Sequence, residues 1–132
     1  DDANVPSLIS APYIGYVSAE DKIYKNTRRL LLSGENKYYF EGTAAKGIGS
    51  PHTASGYIWH IALSMQGLTS SDKAEMKYIL DTMIATDGDT GFMHEGFDAN
   101  DPSKFTRPWF TWSNSLFCEF VERCIGCGVL ED

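Results

Sequence analysis

The 132-residue chain is 42% hydrophobic and 22% charged, which marks one globular domain rather than a disordered segment. Its formal charge of −7 excludes nucleic acid and anionic membrane surfaces as partners, since both demand clustered Lys and Arg. No apolar run approaches the length of a bilayer span, and three cysteines (Cys118, Cys124, Cys127) make no disulfide framework.

Asp1 to Leu8 reads as a helix start, with side-chain acceptors ahead of Pro6. Ser18-Ala19-Glu20-Asp21 offers a capping box for a helix carrying Ile23, Tyr24, Thr27, Leu30 and Leu31 on one face and closed by Gly34. The basic cluster Lys22, Lys25, Arg28 and Arg29 fits its solvated face. Tyr38-Tyr39-Phe40 is strand-like and leads into a glycine-rich stretch ending at Thr53. Tyr57 to Leu68 is apolar nearly all round, which predicts a buried helix. Asp72 to Thr86 is amphipathic, with Met76, Ile79, Leu80, Met83 and Ile84 in one stripe, and so predicts an outer helix covering the inner one. The connection 87–107 shows no periodicity, and loops of that length in compact domains are commonly functional. Pro108 then suits a helix N1 position, with an apolar stripe from Trp109 and Trp112 through Leu116, Phe117, Phe120, Val121 and Cys124 to Gly126. The expected fold class is all-α, with about five helices alternating inner and outer.

The long connection also holds the densest set of reactive side chains: His94, Glu95, Asp98, Asp101 and Arg107, followed by Trp109. A loop carboxylate is ordinarily a solvated surface group. Here the run Phe92-Met93-His94-Glu95-Gly96-Phe97 flanks it with large apolar groups that would pin the loop and partly desolvate the carboxylate. A Glu so placed suits a general base. Inverting glycoside hydrolysis uses two carboxyl groups about 6.5–9.5 Å apart, one protonating the leaving oxygen and the other activating water.

Other chemistries fit less well. Asp87-Gly88-Asp89-Thr90-Gly91 opens like an acidic calcium loop, but Phe92 stands where an EF-hand needs its glycine and Asp98 where it needs Glu. Gly47-Ile48-Gly49 lacks the third glycine and the Lys of a phosphate cradle. Cys124-Ile-Gly-Cys127 has no second pair and ends a helix, so two small apolar residues are the better account. His52 is equally a structural imidazole or a sugar-hydroxyl contact, and His60, on the buried helix, is structural.

Five blocks in order resemble glycoside hydrolase family 125: residues 1–8; Gly47 to Thr53; Tyr57-Ile58-Trp59 with Ala62 to Gln66; Thr90 to Glu95; and Phe105 to Phe110 with Trp112 and Asn114. The resemblance implies an exo-acting α-mannosidase that prefers α-1,6 links, inverts the anomeric centre and uses no metal or other cofactor. It implies an (α/α)6 barrel, of which this chain would be the C-terminal section (residues 1–132), the N-terminal section being absent. The family base maps onto Glu95. Asp1, Asp2, Asn4, His52, His94, Arg107, Trp112 and Asn114 become the candidate substrate-binding residues, for mannose-containing oligosaccharides. The general acid is expected upstream of Asp1, so the partner implied first is the missing N-terminal part of the same protein. Alone, the chain is expected to be a non-catalytic fragment that binds mannosides weakly and self-associates through exposed apolar faces. The lack of an N-x-[ST] site and the unpaired cysteines favour a cytoplasmic setting slightly over a secreted or periplasmic one.

Overall fold

A computed structural model describes residues 7–130. The helix start expected over residues 1–8 lies largely outside them. Leu8–Ser10 forms one 3-10 turn, with the Ser7 hydroxyl accepting from the Ile9 N–H. Helix α1 (Lys22–Leu31) follows, but its cap is Asp21 alone, whose carboxylate accepts from the Ile23 and Tyr24 N–H groups. Tyr24 and Leu31 are buried while Ile23 and Leu30 face outward, so the α1 stripe is narrower than its spacing predicts. Arg28 also departs from the solvated basic face. It turns inward to bond the Gln66 carbonyl and the Glu75 carboxylate.

The core is built around α2 (His60–Leu68), buried at every position except Gln66. Helices α3 (Lys73–Ala85) and α4 (Thr111–Gly126) pack against it. Asp72 caps α3 by accepting from the Ala74 N–H, and Met76, Ile79, Leu80 and Met83 are buried. Ile84 is exposed. At the α2–α4 crossing, a Cβ on Gly67 would stand 2.3 Å from the Phe120 ring, so the helices approach this closely only because that position has no side chain. Helix α4 closes in a Schellman arrangement. Gly128 is left-handed (φ +63°) and donates to the Ile125 carbonyl, while the Val129 N–H reaches the Cys124 carbonyl.

The all-α expectation is corrected. Among the described residues there are four helices and two small antiparallel sheets, a mixed α/β architecture. Strands β1 (Tyr39–Glu41) and β2 (Lys46–Ile48) pair as a hairpin, with Phe40 opposite Gly47. Strands β3 (Tyr57–Ile58), β4 (Gly96–Asp98) and β5 (Phe105–Thr106) form the second sheet in that order. Each strand is two or three residues long, too short for alternation to show in sequence, and its pairing is decided by tertiary partners. Thus Tyr57 and Ile58, expected within the buried helix, pair instead with Asp98 and Phe97. Ile58 and Phe97 are both fully buried, each side chain contributing about 1.5–3 kcal/mol of hydrophobic stabilisation. Helix α4 likewise begins three residues beyond Pro108, after a bend at 108–109 and an extended Phe110 at its N-cap.

Candidate active site

The β4–β5 hairpin places the candidate base. Its turn is written in short polar side chains: the Asp98 carboxylate accepts from the Asn100 and Asp101 N–H groups, and Asp101 accepts from Ser103. Phe97 then pairs with Phe105 and Gly96 with Thr106. Just beyond that last pair the Glu95 N–H donates to the Thr106 carbonyl, so Glu95 and Arg107 meet where the hairpin ends. There the Arg107 Nε donates to Glu95 Oε1 at 3.0 Å.

The two side chains differ in exposure. That of Glu95 is 15% exposed and that of Arg107 is 63%. An ion pair so open to water contributes only about 0–1 kcal/mol to stability, so its consequence is orientation of the carboxylate. One oxygen is held, and among the described residues no donor occupies the other. Arg107 sits in the left-handed region at φ +51°, and it precedes a proline, where extended backbone is the rule. Such a conformation costs on the order of 1–2 kcal/mol. The surrounding structure must hold it.

That structure is a buried histidine pair. The His94 N–H donates to His60 Nδ1 at 2.9 Å. The His60 proton therefore resides on Nε2, which bonds the Thr86 hydroxyl at 3.1 Å, and that hydroxyl donates to the Thr82 carbonyl. Burial, reinforced by His94 nearby, pushes the His60 ring down to about 3. The His94 carbonyl accepts from Ser113 Oγ at 2.7 Å. The His94 ring stacks on Phe105, 3.8 Å between centroids and 5° between planes, with Nε2 2.9 Å from the Asp87 carbonyl and Nδ1 3.3 Å from that of Arg107.

The other candidates distribute as follows. Asn114 grips the backbone of Met93 from both sides, accepting from its N–H and donating to its carbonyl, and it donates to Phe110 as well. Trp112 is half-exposed and tilts against Phe110, whose ring lies 5.6 Å beneath the Arg107 guanidinium carbon. Glu95, Arg107, Phe110 and Trp112 are therefore linked in one chain of contacts. His52 is exposed beside Trp59, and Trp59 abuts Gly96 so closely that a Cβ there would meet its ring at 3.0 Å. Asp1, Asp2 and Asn4 lie outside the described residues. The Asp87 carboxylate is spent on the Asp89 and Gly91 N–H groups, an Asp/Gly turn.

Ser113, Phe105 and His60 were not anticipated as supports of the site. The turn cluster Asp98 to Ser103 between Phe97 and Phe105 is a signal for Phe105 alone; His60 and Ser113 reach the site from α2 and α4, which no local signal records. A surface depression of about 810 Å3 lies at the opposite ends of α2 and α4, around Ser70, Glu119 and Arg123, remote from Glu95.

Residues 1–122 match the model of the metal-independent alpha-mannosidases (GH125), and the chain belongs to that glycoside hydrolase family. It is 47% identical over 122 residues to the meiotically up-regulated gene 157 protein of Schizosaccharomyces pombe, a match covering 92% of this chain and 24% of that protein. A Streptococcus pneumoniae structure of the metal-independent alpha mannosidase family, in a non-productive substrate complex with alpha-1,6-mannobiose, matches with a TM-score of 0.91 and 54% identity. That match covers 96% of this chain and 30% of the other, so the chain spans less than a third of either relative.

Proposed function

We propose that this chain is the base-bearing section of a longer catalytic domain that hydrolyses α-mannosidic bonds, α-1,6 links foremost, with inversion. The observation that carries the reading is the Glu95 carboxylate, 15% exposed and tethered to Arg107 by one oxygen only. Its free oxygen takes a proton from water as that water attacks the anomeric carbon. A second carboxyl group, contributed by the rest of the protein on the other face of the sugar, protonates the departing oxygen. The exposed rings of Trp112 and His52 and the Arg107 guanidinium are the side chains placed to meet a sugar. Asn114 acts from behind, fixing the backbone two residues before the base. The mannobiose complex of the pneumococcal relative supports the substrate class.

Glu95→Gln in the intact protein tests this. The amide keeps the size and loses the basicity, so release of mannose from α-1,6-mannobiose should fall at least about 1000-fold with the melting temperature nearly unchanged. Undiminished turnover would end the assignment. A second reading concerns the chain in isolation: Ile14, Tyr16, Ile23 and Trp109 are more than half exposed, which favours a self-associating piece without turnover. Including the isolated chain in the same assay addresses it, and robust turnover by that chain alone would exclude it.

A further inference from the structure

We infer that His94 is a positioning residue that holds the Glu95–Arg107 pair in its working geometry through the carbonyl of Arg107; the inference rests on the role proposed for Glu95. The ring of His94 is fully buried, so no sugar reaches it. It spans the two ends of the 87–107 connection instead, with Nε2 2.9 Å from the Asp87 carbonyl and Nδ1 3.3 Å from that of Arg107. Holding the Arg107 carbonyl requires a proton on Nδ1 of this ring. Arg107 needs such a brace, because a left-handed arginine ahead of a proline does not keep its conformation unassisted.

The brace is itself anchored. The His94 N–H is tied to His60 on α2 and its carbonyl to Ser113 on α4, while Phe105 on β5 lies flat against the ring. The Arg107 backbone is thereby referred to the helical core. From that backbone the guanidinium reaches 3.0 Å to Glu95 Oε1. A disturbance at Nδ1 passes through two bonds to the carboxylate and touches neither substrate nor water directly.

The test uses the intact protein with α-1,6-mannobiose and compares His94→Asn, His94→Gln and Glu95→Gln. The Asn amide nitrogen falls where Nδ1 sits and keeps a donor for the Arg107 carbonyl. The Gln amide nitrogen falls where Nε2 sits and keeps only the contact to Asp87. Both lose the stack on Phe105, so a purely structural role lowers Tm and kcat alike in the two variants. The positioning role separates them. Per folded enzyme, kcat should fall about 10- to 100-fold in His94→Gln and less than about 5-fold in His94→Asn, with KM nearly unchanged. Equal losses of kcat, or a loss carried by KM, overturn the inference. If Glu95→Gln retains activity, the base assignment falls and this inference with it. If Glu95→Gln is inactive while the two His94 variants match, only this inference falls. Should neither His94 variant fold, 15N spectra of labelled histidine in the unmutated protein decide: a proton on His94 Nδ1 is expected, and a ring protonated at Nε2 alone overturns the inference.

Discussion

His60 is fully buried, and burial, followed by the nearby His94, lowers its pKa from 6.5 to about 3. In the unfolded chain the ring titrates near its ordinary value. Between those two pH values the unfolded state therefore binds a proton that the native state refuses. Stability from this residue is complete above pH 6.5 and is lost as the pH falls toward 3. Linkage gives a slope of up to about 1.4 kcal/mol per pH unit, and a loss of about 2.7 kcal/mol at pH 4.5 relative to neutral pH. Glu75 acts in a different window. Burial pushes its carboxyl up, but hydrogen bonds from Gln66 and Ser70 and the charge of Arg28 outweigh that and leave it below 4.5, so its contribution is lost only as the pH falls below about that value. His60→Gln isolates the histidine, since the amide can still donate to the Thr86 hydroxyl and does not titrate. At pH 7.5 the variant should be about 1–3 kcal/mol less stable, because the His94 N–H loses its acceptor. Urea unfolding of both proteins at pH 7.5, 6.5, 5.5 and 4.5 should show the gap closing or reversing as the pH falls. Parallel stability curves would refute the assignment of a neutral, acid-resistant His60.

Two further changes probe the packing. Gly67→Ala improves helix propensity by about 1 kcal/mol but drives a methyl into the buried Phe120 ring, an overpacking that costs about 1–3 kcal/mol. A lower Tm is expected, and an unchanged or higher one contradicts the close crossing. Glu75→Ala strips the partner from a half-buried Arg28 and should cost about 1–3 kcal/mol, less than a fully buried pair because both side chains keep some water. Adding Arg28→Met should recover part of that loss in denaturant midpoints, and a double variant worse than the sum of the singles would contradict the pairing.

The sequence made the long-range periodic elements legible and the short ones illegible, for one physical reason. Helix α3 has several turns over which Met76, Ile79, Leu80 and Met83 repeat. Strand β3 has two residues and no period to read, so Tyr57 and Ile58 were absorbed into the apolar run that becomes α2. The candidate site divides in the same way. Glu95 and Arg107 were each singled out by residue type and by the resemblance. Their pairing was not, because it depends on the register of a hairpin whose strands were not recognised. His94 and Asn114 are expected among the sugar contacts because the resemblance implies it. The structure places both against backbone groups, a destination that polarity alone does not encode.

The six residues between β4 and β5, positions 99–104, lie at the far end of the strands that lead to the Glu95–Arg107 pair. Yet their number fixes which residue faces Glu95, because a register slip of one turns every side chain of a strand to its other face. With one residue more or fewer in that turn, the same Glu would stand across from Thr106 or Pro108, neither of which can grip a carboxylate as Arg107 does. The chemistry of this pair is thus spelled partly by a count. Two chains could share every reactive residue here and differ in what they can do, through nothing but the length of a turn.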